Sequence, residues 1–142
     1  MKIYADSSFL VSTCVYDAHT AETALRMANH PFVSITIFNR AEVANATHRY
    51  VYRGAITAAD ALSAWNHFEQ DCANGIWTLV GLPERIWNTS IDLTRRHGPT
   101  LGVRTLDSLH VACALELKAE RFWTFDDRQA RLAEAVGLET NA

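Results

Sequence analysis

Short apolar runs alternate along the chain with longer segments in which apolar residues recur every three or four positions. The short runs, rich in β-branched and aromatic residues, predict strands at 2–5, 32–36, 77–80 and 121–125. The longer segments predict helices at 9–15, 17–29, 38–52, 58–73, 83–97, 105–118 and 128–136. Because strands alternate with helices, we expect βαβ units and a mostly parallel sheet between two helical layers.

Polar residues and glycines mark the ends of these elements. Ser7 and Ser8 are candidate caps for the first helix and Thr57 for the fourth, since short hydroxyl side chains bond the free N–H groups of a first turn. Gly137 is expected to close the last helix. The segment 98–102, Gly-Pro-Thr-Leu-Gly, predicts a loop because glycine and proline are both poor helix formers.

The composition favours one globular domain. A length of 142 residues fits a single domain, 1–142, with an α/β/α sandwich fold. Three distant cysteines without a CxxC pair make a disulfide framework or a zinc site unexpected. No apolar run is long enough to cross a bilayer, and Asp6 interrupts the first one too early for a signal peptide. We therefore expect a cytoplasmic protein that does not enter a membrane.

Four acidic residues fall where the strands end or the following helices begin: Asp6, Glu42, Asp107 and Asp126. Helices that follow parallel strands start at one edge of the sheet, so these side chains should converge there. Converging carboxylates repel unless a cation neutralises them, and a hard divalent ion is the usual partner. Two such ions can activate water against a phosphodiester. The alternative is that acids near helix starts serve only as caps or dipole partners.

Other proteins that gather acids at such an edge fit less well. A response-regulator receiver needs a paired acid beside the first strand and a late lysine, but Asp6 has no acidic neighbour. The only lysines are Lys2 and Lys118. A phosphatase with a DxD loop is also disfavoured, because Ser8 stands where its second aspartate would be. The net charge of −3 argues against a simple basic clamp on nucleic acid, though not against nucleic acid as a partner.

Four segments, taken in chain order, resemble the PIN domain family. They are Tyr-Ala-Asp-Ser-Ser-Phe-Leu at 4–10, Asn-Arg-Ala-Glu-Val at 39–43, Arg-Thr-Leu-Asp-Ser-Leu-His-Val-Ala at 104–112 and Phe-Trp-Thr-Phe-Asp-Asp at 122–127. The third is the most specific, and the tail at 133–138 also fits. A free-standing domain of this size resembles the VapC-type toxin ribonucleases.

This resemblance implies a Mg²⁺- or Mn²⁺-dependent endoribonuclease that forms a homodimer and acts as the toxin of a toxin–antitoxin pair. The implied partners are a small cognate antitoxin and structured RNA with exposed loops. The alternatives are a non-catalytic interaction or regulatory module and a PIN nuclease of RNA processing. The resemblance makes Asp6, Glu42, Asp107 and Asp126 the catalytic metal ligands. It gives Ser8 a role in orienting them and leaves Asp127 as a neighbour that could share the role of Asp126.

Five arginines are candidates for contacts to RNA phosphates: Arg49, Arg53, Arg95, Arg96 and Arg104. The first two share the Glu42 face with Asn45, because separations of three, seven and eleven residues are helical spacings. The others flank the predicted 98–102 loop. The alternatives are a solvated helix face and charge complementarity at helix ends. His110, one turn after Asp107, is expected to be a packed histidine rather than a general acid.

Overall fold

The computed structural model describes residues 1–140, so the last two positions of the predicted domain lie outside it. Its four strands are β1 (Ile3–Ala5), β2 (Val33–Ile35), β3 (Trp77–Leu79) and β4 (Arg121–Trp123). They form a parallel sheet in the order β3-β2-β1-β4, in which Tyr4 lies opposite Ser34 on one side and Phe122 on the other. All four strands lie at their predicted places, and each is shorter than predicted.

Within residues 1–140 the helices are α1 (Ser7–Cys14), α2 (Thr20–Met27), α3 (Ile37–Tyr52), α4 (Ala58–Ala73), α5 (Ile86–Leu101), α6 (Thr105–Glu116) and α7 (Asp127–Ala135). None of these described helices has the length and apolar content needed to cross a membrane.

The sheet separates two hydrophobic cores because successive side chains of a strand point to opposite faces. In β1, Ile3 and Ala5 join the core formed with α1, α3 and α4, whereas Tyr4 joins the core formed with α5, α6 and α7. In β4, Phe122 joins the core with α5, α6 and α7, and Trp123 joins the other core. The result is the α/β/α sandwich predicted from the alternation of strands and helices.

The predicted loop at 98–102 is wrong: α5 continues through Gly98 and Pro99 to Leu101. A proline inside a helix removes one backbone hydrogen bond and is usually unfavourable. Here the last turn is supported by packing, because Leu101 is partly buried against the α5–α7 core. Gly102 then ends the helix in the left-handed conformation, with φ 65°, and its N–H donates to the Gly98 carbonyl.

The cap of α1 also differs from the prediction. Asp6, rather than Ser7 or Ser8, accepts the hydrogen bond from the Phe9 N–H. The two serine hydroxyls are turned toward carboxylates instead. The other two predictions are confirmed: Thr57 caps α4 by accepting from the Asp60 N–H, and Gly137 follows α7 with a positive φ of 90°.

Candidate active site

The four acids predicted to converge line one cavity of about 340 Å³ at the carboxyl edge of the sheet. Asp6 directly follows β1 and Asp126 follows β4, whereas Glu42 lies in α3 and Asp107 in the first turn of α6. The four side chains therefore come from four separate places in the fold, as the parallel topology requires.

Asp6 is buried and fully engaged in hydrogen bonds. Its Oδ1 accepts from the Phe9 N–H at 3.0 Å and from the Ser8 hydroxyl at 2.6 Å, while its Oδ2 accepts from the Thr124 hydroxyl at 2.7 Å. Burial penalises the charged form and raises the pKa of Asp6, although these hydrogen bonds and nearby His110 oppose the rise. The protein thus holds a buried carboxylate against a desolvation cost.

Glu42 is held by a chain of hydrogen bonds that starts at Tyr4 on β1. The Tyr4 hydroxyl bonds His110 Nδ1 at 2.8 Å, and His110 Nε2 bonds the Glu42 carboxylate. Because an ionised carboxylate can only accept, His110 Nε2 carries the hydrogen of its bond to Glu42. The Ser7 hydroxyl donates to the same Glu42 oxygen at 2.6 Å. Burial alone would raise the pKa of Glu42, but the bonds from His110 and Ser7 bring it below its usual range.

Asp107 and Asp126 are joined by one guanidinium. Arg104 Nη2 lies 3.3 Å from Asp107 Oδ1 and 3.2 Å from Asp126 Oδ2. Hydrogen bonding and attraction to Asp107, then to Asp126, raise the pKa of Arg104 further. The side chain of Asp107 is completely buried, whereas that of Arg104 is 58% exposed. A positive charge therefore stands at the solvent side of two converging carboxylates.

Three of the four acids take part in helix caps, which is the structural role that the sequence left open as the alternative. Asp6 caps α1, Asp107 Oδ2 accepts from the Arg104 N–H at the start of α6, and Asp126 Oδ1 accepts from two N–H groups at the start of α7. Capping leaves Asp107 Oδ1 and Asp126 Oδ2 to the Arg104 guanidinium. Because capping fixes each side chain, it positions the carboxylates as well as stabilising the helices.

The donor set suits a hard divalent cation, since four carboxylates offer the oxygen ligands that Mg²⁺ and Mn²⁺ prefer. Within residues 1–140, however, no three Asp, Glu, His or Cys side chains are grouped so that they could hold a metal ion together. The guanidinium of Arg104 lies within ion-pair distance of both Asp107 and Asp126. The oxygen ligands therefore suit a divalent cation, and in this structure the Arg104 guanidinium supplies the positive charge beside Asp107 and Asp126.

The structure sorts the other predicted site residues by position. Ser8 and two of the arginines, Arg49 and Arg104, line the carboxylate cavity. In the part of the chain that the structure describes, the exposed residues Asp127, Arg53, Arg95 and Arg96 do not line it. Their predicted roles in metal or RNA contact remain predictions.

Several residues that support the site were not singled out from the sequence. Asn39 Oδ1 accepts from the Tyr4 hydroxyl and the Thr36 N–H, and Thr124 bonds Asp6. Gln129 lines the cavity, and within residues 1–140 its buried Oε1 has no hydrogen-bond partner. Asn39 and Thr124 lie within the segments that resemble the family, and this position was the only sequence signal that could have identified them. His110 is packed as expected, but it also contacts Glu42, which the sequence did not reveal.

The fold is similar to that of two solved structures. One is VapC20 of Mycobacterium tuberculosis, a Sarcin-Ricin loop cleaving toxin, with 14% identity and a TM-score of 0.71 over 99% of both chains. The other is VapBC2 of Rickettsia felis bound to a DNA fragment from their promoter, with 12% identity and a TM-score of 0.66 over 99% of this chain and 98% of that one. At these identities the likeness shows the fold alone.

Comparison with curated proteins gave no match. The sequence does match the PIN domain family over residues 3–135, which is nearly the whole chain. This match confirms the resemblance found in the four segments, and the two solved structures have the same architecture. The chain belongs to the PIN domain family.

Proposed function

We propose that the protein is a Mg²⁺- or Mn²⁺-dependent endoribonuclease that hydrolyses RNA phosphodiesters. The observation that carries the proposal is the cavity at the carboxyl edge, which is lined by carboxylates from four separate parts of the chain and by a cationic side chain. Family membership supports a nuclease, and the similarity in fold to VapC20, a Sarcin-Ricin loop cleaving toxin, supports RNA as its substrate.

Asp6, Glu42, Asp107 and Asp126 would hold the metal. When bound, the metal supplies Lewis acidity that favours ionised water as a nucleophile and offsets the charge of the phosphodiester. His110 and Ser7 keep the Glu42 carboxylate in place, and Thr124 and Ser8 do the same for Asp6.

If Asp107 and Asp126 held a metal, the Arg104 guanidinium would leave its position between them. Its exposed side chain then remains beside the cavity, where it can contact an RNA phosphate.

The proposal extends to the protein's biological partners. We infer a toxin that cuts structured RNA in exposed loops, forms a homodimer and is controlled in the cytoplasm by a small antitoxin protein. The support is the similarity in fold to VapC20, a toxin, and to VapBC2.

The test is cleavage of total cellular RNA by the purified protein, followed by sequencing of new 5′ ends. The reactions contain Mg²⁺, Mn²⁺ or a chelator and compare the wild type with Asp107→Asn. Asparagine keeps the volume and can still accept from the Arg104 N–H, so the fold should survive. The matched control is Asp92→Asn, which removes an exposed acid of α5 outside the cavity.

We expect discrete new ends with the wild type and Asp92→Asn, and none with Asp107→Asn or chelator. Full activity of Asp107→Asn would contradict the site assignment. One observation favours a second candidate, a non-catalytic interaction module: Arg104 already occupies two of the four carboxylates. Absence of both cleavage and metal binding in the wild type would favour that module.

A further inference from the structure

A second cavity, of about 400 Å³, opens beside the carboxylate cavity. The two are continuous, because six residues line both: Ser7, Ser8, Glu42, Arg49, Leu106 and Asp126. Its volume is in the range of small-molecule sites, roughly 300–1,000 Å³. A molecule whose phosphate reaches the carboxylates would therefore extend naturally into this second space.

Three nearly parallel rings lead from the core into this cavity. Phe9 is buried and stacks on half-buried Phe125 at 5.6 Å between centroids and 17° between planes. Phe125 stacks in turn on His19 at 4.1 Å and 6°. His19 is exposed and lines the cavity, so the stack ends at a planar ring that is open to solvent. Such a ring is a platform on which one further planar group can stack.

Helix α3 contributes polar side chains to the lining of this cavity. Asn45 and Arg49 line the cavity, three and seven residues after Glu42 and hence on its face of the helix. Within residues 1–140 neither the Asn45 amide nor the Arg49 guanidinium has a hydrogen-bond or ion-pair partner. An amide has both a donor and an acceptor for the edge of a base, and a guanidinium suits a phosphate.

The aromatic stack is fixed relative to the carboxylates through one hydroxyl. Ser8 Oγ donates to Asp6 Oδ1 at 2.6 Å and accepts from the Phe125 N–H at 2.9 Å. Ser8 therefore connects the backbone of Phe125, whose ring belongs to the stack, to the carboxylate of Asp6. This link sets a constant spacing between a group stacked on the wall and a group held at the carboxylates.

From these four features we propose that the second cavity binds one unstacked nucleobase of the RNA, adjacent to the phosphodiester that is cut. The inference rests on the proposed ribonuclease function and adds a specificity site to it. The base stacks on His19 and presents its edge to Asn45, while Arg49 holds a neighbouring phosphate. A base is favoured over a peptide side chain because the cavity combines a ring platform, an amide and direct continuity with the phosphodiester site.

The experiment uses two readouts on the full chain. Binding is measured by fluorescence anisotropy with a labelled ten-nucleotide single-stranded RNA of mixed sequence, in chelator so that no cleavage occurs. Base preference is measured by mapping the nucleotides that flank cuts in total RNA with Mn²⁺. The variants are His19→Ala, His19→Tyr and Asn45→Ala. The control is His67→Ala, which removes an exposed histidine outside both cavities.

We expect His19→Ala to weaken RNA binding roughly tenfold, the scale of one lost base–aromatic stack, and His19→Tyr to restore it. Asn45→Ala should relax the base preference at one position beside the cut. All variants should bind Mn²⁺ as the wild type does. Wild-type RNA binding and base preference in His19→Ala and Asn45→Ala, with cleavage intact, would overturn the nucleobase site and leave the ribonuclease standing. Failure of the wild type itself to cut RNA would overturn both.

Discussion

The carboxylate site has two halves that are built differently. Asp6 and Glu42 are held by buried or partly buried donors from distant parts of the chain, among them Thr124 and His110. Asp107 and Asp126 are held together by the guanidinium of Arg104, which is largely exposed. One half is therefore fixed by the core, and the other is balanced by a charge that solvent can reach.

The difference shows how a fold can carry four acids at one edge without a cation in its core. Exposed ion pairs contribute only about 0–1 kcal/mol, so little free energy comes from the pair of Arg104 with partly exposed Asp126. The pair of Arg104 with completely buried Asp107 contributes more, because a buried charge needs its partner. Buried hydrogen bonds to charged groups contribute about 1.5–3 kcal/mol each, and losing one partner leaves a desolvated group. We therefore regard the Asp6–Glu42 half as preorganised and the Asp107–Asp126 half as exchangeable.

The largest expected effect comes from breaking the fixed half at His110. His110→Ala removes the buried partner of both Glu42 and Tyr4, so we expect about 2–4 kcal/mol lower stability in urea unfolding. Loss of the group that orients Glu42 should also lower Mn²⁺ affinity about 10- to 100-fold. His110→Gln, which can still bond Glu42, should recover much of the Mn²⁺ affinity. Unchanged metal binding in folded His110→Ala would show that Glu42 needs no such support.

The second prediction compares one acid from each half without metal present. Since the pKa of Asp6 is raised in the folded state, its ionised form costs stability at neutral pH. Asp6→Asn removes this titration, so in chelator the variant should gain stability relative to the wild type as the pH rises toward neutrality. The gain should shrink as the pH falls toward the ordinary Asp value, about 3.9, because Asp6 is then protonated in both states. Urea unfolding across this pH range measures it.

Asp126→Asn is the matched control for that experiment. Its side chain is partly exposed and paired with Arg104, so its removal should give no gain in stability. Equal stabilisation by both substitutions would show that the two halves carry the same cost and would remove the basis of the comparison.

The third prediction concerns the exchangeable half. Arg104→Ala removes a positive charge that competes with a divalent cation, so Mn²⁺ affinity should rise severalfold. Because the substitution also removes a partner of completely buried Asp107, stability without metal should fall by about 1–3 kcal/mol. This change in Mn²⁺ affinity is opposite in sign to the one expected for His110→Ala. Titration calorimetry with Mn²⁺ measures it, and Arg104→Lys should resemble the wild type because it keeps the charge. Weaker metal binding in Arg104→Ala would mean that the guanidinium helps to form the metal site.

The smallest expected effect separates the arginines by position. Arg49 lines both cavities, whereas Arg95 is exposed outside them in the described structure. Arg49→Ala should reduce the slope of log affinity against log salt by about 0.7 for single-stranded RNA, the value for one lost phosphate contact. Arg95→Ala should leave the slope unchanged. Equal slopes for both variants and the wild type would remove Arg49 from the RNA surface.

Much of the fold was predictable because its signals are local. The periodicity of apolar residues located four strands and seven helices, and their alternation fixed a parallel sheet with the acids at one edge. The 98–102 segment was not predictable in this way. Its glycines and proline signal a loop, but tertiary packing of Leu101 extends α5 through them.

The sequence by itself determined that Asp6, Glu42, Asp107 and Asp126 share one edge, since strand direction and helix starts follow from the order of the elements. Only the tertiary structure decided which distant side chains hold Asp6 and Glu42. The partners that distinguish the two halves, His110 for Glu42 and Thr124 for Asp6, lie 68 and 118 residues away along the chain. Such contacts depend on how the layers pack, and short-range patterns carry no information about them.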